Sequence, residues 1–343
     1  MPFFVFTLRS IGVLPMRHSI LVSLLCCLSF SLSPRGHAQR DSGPLPVLGG
    51  SREVIFDTDI GDDIDDAFAF ALLLSAPEVH VNAVTTAWGD TGLRARLASR
   101  FLTTTGHSGI PVAAGPQTHS TTVFTQSVWA HNFPEPSTPW PNAVTLTLDE
   151  IRKKPGQITL ISVAPLSNIG ALIDADPATF RKLKQVVIMG GSISRGYGDL
   201  GYLPDRGPQP EYNIKCDIPS AKKLFTSGVP IYVMPLDSTQ LKLDEVKRSV
   251  LFSAGTASTD ALTLLYEQWN KSTGNPTPTL FDAMAVAAYL EPDLCPTKPL
   301  RIEVDDQGYT RVVRGAPNAN VCLDSSPERF FHFYLRSLLG KGS

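Results

Sequence analysis

Residues 54–74, VIFDTDIGDDIDDAFAFALLL, constrain this chain more than any other stretch. The apolar run Val54-Ile55-Phe56 stops at a cluster in which six of ten residues are aspartate: Asp57, Asp59, Asp62, Asp63, Asp65 and Asp66. An apolar, helical-looking AFAFALLL follows at once. Like charges in one loop repel, so folding it costs free energy unless something positive binds there. A solvated acidic turn is the competing reading, and the frame of the cluster disfavours it. A buried-type strand leads in, Gly61 permits an unusual backbone angle, and a helix N-terminus leads out. In an open α/β sheet, such loops at the carboxyl ends of strands are where ligands sit.

The rest of the chain supplies such a sheet. Strands are predicted over 79–86, 110–114, 158–163, 185–189 and 230–234. Helices are predicted over 92–105, 148–154, 166–174, 221–227, 260–271, 283–290 and 330–339, with an antiparallel strand pair within 301–314. This alternation predicts a single α/β domain built on an open, mostly parallel twisted sheet with helices on both faces. Two long segments interrupt it. Residues 117–142 carry Trp129, His131, Phe133, Trp140 and four prolines; residues 192–213 are rich in Gly, Pro, Asp and Tyr. Both follow strands, and long aromatic loops there commonly act as lids.

A length of 343 residues with 43% hydrophobic content suffices for a large core. A net charge of −2 gives no electrostatic case for nucleic acid or an anionic membrane as partner. The N-terminus reads as a secretory signal: Arg9, Arg17 and His18, an apolar centre over 20–32, and a small residue, Ala38, at the cut. Residues 1–38 are therefore expected to be a signal peptide, 39–50 a Pro/Gly linker, and 51–343 the folded domain, secreted or periplasmic. Met16 is an alternative start, and a retained N-terminal anchor is the competing reading. Cys216, Cys295 and Cys322 remain after cleavage, so at most one disulfide forms within the chain, and Cys295 with Cys322 is one pair that could form it. No Cys/His spacing suggests structural zinc.

Clustered carboxylates suit a hard cation, Ca²⁺ or Mg²⁺. An EF-hand is excluded: counting from Asp57, Asp62 stands where Gly is needed and Phe68 where Glu is needed. A phosphatase-type DxD loop matches Asp57-Thr58-Asp59 but leaves Asp65-Asp66 unexplained. A cation lowers the pKa of nearby water, a carboxylate then takes the proton, and a negative pocket stabilises the positive ring of a sugar undergoing hydrolysis.

With these residues in view, the chain resembles the nucleoside hydrolase family, the calcium-dependent N-ribosyl hydrolases of inosine–uridine type, over residues 54–294. The family's DTDxGxDD signature appears as Asp57-Thr58-Asp59-Ile60-Gly61-Asp62-Asp63-Ile64-Asp65-Asp66, with two extra residues before the final pair. VTTAWGD (84–90), IPVAAG (110–115), ISVAPLSN (161–168), VVIMGG (186–191), PEYNIKCDIPSA (210–221) and FDAMAVAAYL (281–290) follow in the family's order. The resemblance implies a Rossmann-related fold and hydrolysis of ribonucleosides to ribose and base. It implies Asp59 as calcium ligand and general base, and Asp66, Asp282 and the Val163 carbonyl as further ligands. It implies Asp65, Asp90, Met189, Glu211 and Asn213 as ribose contacts, with Asp205 a weaker match. A dimer or tetramer is implied by analogy.

One position departs from the pattern. Family members carry a histidine just before the last Asp as leaving-group acid; this chain carries Phe281, which stacks on a base but donates no proton. His131, in the first long loop, is then the expected acid, with Trp129, Phe133, Trp140, Tyr197 and Tyr202 as stacking partners. Stacking favours purines or a broad base range. Two alternatives stay open: a ribose- and calcium-binding relative without turnover, and a hydrolase of a related non-nucleoside ribosyl substrate.

Overall fold

The structure is a computed structural model and describes residues 52–200 and 207–340. The expected signal peptide (1–38) and linker (39–50), Tyr202 and Asp205 lie outside the described residues.

An eight-stranded sheet runs in the order β3-β2-β1-β4-β5-β6-β10-β7. The strands are β1 (Arg52–Thr58), β2 (Val79–Thr86), β3 (Val112–Ala114), β4 (Thr159–Ser162), β5 (Gln185–Met189), β6 (Ile231–Met234), β7 (Thr297–Leu300) and β10 (Ala319–Cys322). All neighbours pair in parallel except β10 with β7. The short strands β8 (Ile302–Val304) and β9 (Thr310–Val312) form the antiparallel pair expected within 301–314. β7 and β10 were not foreseen. β7 contains Pro299, and both are short and weakly patterned. β7 closes one edge of the sheet, the position that tolerates proline.

β1 shows why strand residues alternate. Val54 and Phe56 enter the apolar layer formed with helices Asp65–Leu74, Thr91–Thr104, Ala257–Thr273, Phe281–Leu290 and Pro327–Leu339. Ile55 enters the opposite layer with helices Ala143–Lys153, Ser167–Ala175 and Ile218–Thr226. A strand buried on both faces has to be apolar throughout.

Chain direction fixes where the site falls. From β1 the sheet grows one way through β2 and β3, and from β4 the other way through β5 and β6. The carboxyl ends of β1 and β4 therefore flank a topological switch point, where a crevice opens. The acidic loop leaves β1 and Val163 follows β4, so both stand at that crevice. Among the described residues, no helix is long and apolar enough to cross a membrane.

Candidate active site

Asp57, the penultimate residue of β1, is a brace. Its carboxylate accepts from Thr85 Oγ1 (2.7 Å), Ser162 Oγ (2.9 Å) and Asn168 Nδ2 (2.7 Å), tying β1 to β2, to β4 and to helix Ser167–Ala175. Burial pushes it up to about 6 against the pull of these donors. Asn168 is no helix cap: its amide also reaches the Thr86 carbonyl at 3.1 Å. A Cβ on Gly115 would stand 1.9 Å from its Oδ1, so glycine is required there.

Beyond Asp57 the loop is held from two sides. Thr58 Oγ1 donates to Asp66 Oδ1 (2.5 Å) and accepts from Ile60 N (3.1 Å). Gly61 sits at φ +128°, and a Cβ there would meet the Phe124 ring at 2.2 Å. From outside, Gln126 N donates to Gly61 O, Thr125 Oγ1 to Asp62 O and Gln126 Nε2 to Asp63 O. From inside comes Arg94, only 1% exposed. Its guanidinium donates to Asp62 Oδ2 (2.7 Å), to the Ile60 carbonyl (3.2 Å), to the Trp88 carbonyl (2.7 Å) and to the Asp59 carbonyl. Sequence reasoning missed Arg94, because an arginine in a helix ordinarily reads as solvated. The available signal was its spacing: Arg94 shares one helical face with the buried Leu97, Ala98 and Phe101.

Two apolar helices then bring distant carboxylates together. Asp65 and Asp66 open helix Asp65–Leu74, and Asp282 lies in the first turn of Phe281–Leu290. The cap position of the second helix is Leu280, so Asp282 lies inside the first turn rather than at the cap. Asp65, Asp66 and Asp282 each place an oxygen within 4.8 Å of the others, and all three are buried. Asp282 N lies 3.4 Å from Asp65 Oδ2. Burial first, and mutual repulsion second, hold Asp59, Asp65, Asp66 and Asp282 well above the usual carboxylate range. The clustered side-chain donors are all carboxylate oxygens, Val163 lines the cavity beside them, and no histidine or cysteine is among the described lining residues. Buried negative charge in this arrangement fits a hard divalent cation.

These groups line one cavity of about 250 Å³. That lies just under the usual range of roughly 300–1,000 Å³ for drug-sized ligands, which suits one small molecule. Asp59, Asp65, Asp66, Val163, Met189, Glu211, Asn213, Phe281 and Asp282 all face it, as the sequence leads one to expect. Glu211 caps helix Tyr212–Cys216, accepting from Asn213 N (2.9 Å) and Ile214 N (3.2 Å), and also from Gly191 N (2.9 Å). Burial still pushes it up to about 7. Asn213 Nδ2 donates to the carbonyls of Val163 (3.2 Å) and Met189 (3.1 Å). Tyr197 meets the Phe281 ring edge-on, with centroids 6.0 Å apart. Thr122 and Tyr212, which the sequence reading passed over, complete the wall.

Two expected site residues are not brought there. His131 and Asp90 line a separate cleft with Arg96, Glu135 and Trp140. His131 ends the short helix Ser127–His131, whose Trp129 is buried against Phe101 and stacked under Arg100. That anchoring turns His131 outward, where its carbonyl accepts from Arg96 (2.8 Å). Asp90 caps helix Thr91–Thr104, its Oδ1 accepting from Leu93 N (3.0 Å). Trp129 is core rather than a stacking partner. Asp65, expected to hold ribose hydroxyls that also touch the metal, stands beside Asp66 and Asp282 in the carboxylate trio.

A small-molecule cavity at the switch point of a parallel sheet, walled by buried carboxylates, defines the class of an α/β enzyme with a cation-type site. Residues 54–332 match the model of the inosine-uridine preferring nucleoside hydrolase family, and the chain belongs to that family. It is 30% identical over 311 residues to a pyrimidine-specific ribonucleoside hydrolase, RihA, of Citrobacter koseri, covering 81% of this chain and 95% of the relative. An uncharacterized Schizosaccharomyces pombe protein is 29% identical over 273 residues, 74% of this chain and 85% of that one. The fold is shared with the plant nucleoside hydrolase PpNRh1 (TM-score 0.71, 23% identity, 84% and 99% of the two chains). It is also shared with a purine-preferring ribonucleoside hydrolase from Gardnerella vaginalis (TM-score 0.69, 22% identity, 84% and 98%).

Proposed function

We propose that this protein is a calcium-dependent hydrolase of ribonucleosides, cleaving the N-glycosidic bond to give ribose and free base. The observation that carries the reading is the meeting of the buried Asp59, Asp65, Asp66 and Asp282 with Val163 in one cavity of a nucleoside hydrolase family member. Asp59, Asp66, Asp282 and Val163 are the proposed ligands, with Asp65 close enough to join them or to hold ribose hydroxyls. Calcium bound there would offset the buried charge and ease loss of a proton from water. Asp59 takes that proton as water attacks C1′. Positive charge grows on the ribose ring and is stabilised by the surrounding carboxylates. Glu211, Asn213 and Met189 form the sugar wall, and Phe281 with Tyr197 the aromatic wall for the base. No role in this cavity is proposed for His131 or Asp90.

The test is purified protein with a panel of purine and pyrimidine ribonucleosides, with and without a chelator, read as ribose released. The panel spans both base types because the relative at 30% identity is named for pyrimidines, whereas aromatic stacking favours purines. Absence of release from every nucleoside, with calcium still bound, overturns the reading. Phe281 favours one competitor, a ribose-binding relative without turnover. Calorimetry showing tight ribose binding, with no hydrolysis even after Phe281→His, would establish it.

Export is part of the proposal. The described structure pairs Cys295 with Cys322 across a separation of 27 residues, and such a bond persists in oxidising compartments. Cell fractionation tests this: retention of the full-length protein in the cytosol sinks it.

A further inference from the structure

We infer that the Tyr212 phenol donates the hydrogen bond, and then the proton, that the departing base takes, with the Thr122 hydroxyl connecting it to solvent. The inference rests on the hydrolase reading above. Breaking the C1′–N bond leaves an electron pair on the base nitrogen, and a placed acid there is worth roughly 10²–10⁴ in rate. The residues that the sequence nominated do not supply it: Phe281 has no proton to give, and His131 faces another cleft.

Apart from the acidic cluster and Glu211, whose carboxylate accepts from three backbone N–H groups, the described cavity wall contains few other protic groups. The Asn213 amide is committed to the carbonyls of Val163 and Met189. The Tyr197 hydroxyl accepts from Tyr212 N at 3.0 Å and bonds the Glu211 side chain, so both its functions are used. Tyr212 differs. Its hydroxyl lies 2.9 Å from Thr122 Oγ1, and either oxygen can donate. The Tyr212 side chain also bonds the Cys216 thiol, a weak acceptor that a base nitrogen displaces, and the O–H is then free to be given. Tyr212 is half-buried in the cavity wall and Thr122 is exposed, so the pair runs from cavity to solvent. Burial holds the phenol above its ordinary range, so it stays protonated until charge develops on the base. The neighbouring Cys216 thiol, pushed up to about 12 by burial, also stays neutral and takes no proton from it.

The step balances. The C1′–N bond breaks, and its electron pair goes to the base nitrogen. That nitrogen takes the Tyr212 proton, Tyr212 regains one from Thr122, and Thr122 from solvent water. The attacking water forms the new C1′–O bond and gives its proton to Asp59.

The experiment uses the mature protein with calcium and two kinds of substrate: ribonucleosides, whose base needs a proton to leave, and 4-nitrophenyl riboside, whose leaving group does not. Tyr212→Phe is expected to lose roughly 100-fold or more in kcat on nucleosides and no more than a few-fold on 4-nitrophenyl riboside. Thr122→Val, at an exposed position, is expected to show the same selectivity with a smaller loss. Equal loss by Tyr212→Phe on both substrates, or undiminished nucleoside turnover, overturns the inference while leaving the hydrolase reading intact. A wild-type protein inert to both substrates overturns the two together.

Discussion

Asp59 and Asp282 sit in one cavity yet have separable tasks. Asp59 is the proposed base as well as a proposed ligand, so Asp59→Asn should lower kcat by roughly 10²–10⁴ even at saturating calcium. Asp282 belongs to the buried carboxylate trio, so Asp282→Asn should weaken calcium binding first, with turnover recovering as calcium is raised. Calorimetry beside steady-state kinetics separates them, and identical profiles for the two variants would refute the division. Both residues were legible in the sequence, Asp59 from a framed acidic cluster and Asp282 from the motif opening its helix. Arg94 was not, since nothing local distinguishes a buried arginine from a solvated one. His131 was assigned by its position in a loop, but packing of Trp129 beneath it decides where it points.

At the scale of elements, the acidic loop is a clasp between helix Thr91–Thr104 and the segment around Phe124. Arg94→Met would leave Asp62, 7% exposed, without its partner. Breaking a buried pair costs about 3–5 kcal/mol, to be read by urea unfolding; a loss under about 1 kcal/mol would show that Arg94 is dispensable. Gly61→Ala forces a Cβ into the Phe124 ring at a positive φ. A loss of roughly 1–3 kcal/mol is expected from the backbone alone, and Gly61→Ala with Phe124→Ala should recover part of it. Strand existence was readable wherever a run was apolar on both faces, as in β1, β4 and β5. It was not readable for β7 and β10, whose place depends on pairing with each other and with β6.

Across the whole molecule, charge and covalent linkage set stability. Glu211 has an ordinary pKa of 4.5 and is raised to about 7 by burial. A raised carboxyl contributes stability that is complete below the unfolded value and is lost as pH rises through the folded one. The chelated protein should therefore lose stability from about pH 4.5 to above 7. Calcium acts oppositely, because its carboxylate ligands must be ionised. The calcium-induced rise in melting temperature should grow as pH rises through the raised range of these carboxyls; a constant increment in a fluorescence melt would contradict this. The disulfide joins the segment before β7 to the end of β10 across 27 residues. Replacing Cys295 and Cys322 by serine should cost about 2–4 kcal/mol, seen as a lower unfolding midpoint that reductant reproduces in the wild type.

By itself the sequence determined the parallel α/β architecture and the acidic loop at its carboxyl edge, because two-sided burial and like-charge crowding both leave local patterns. Tertiary structure alone decided how that charge is offset, by Arg94 from a neighbouring helix and by a cavity shaped for a cation. It also decided which carboxylates meet, since helices Asp65–Leu74 and Phe281–Leu290 pack side by side although 217 residues separate Asp65 from Asp282. And it decided which hydroxyls meet at the cavity wall, because the Tyr212–Thr122 contact joins two segments 90 residues apart. Such contacts leave no local pattern: they depend on how distant elements pack, which periodicity and spacing do not record.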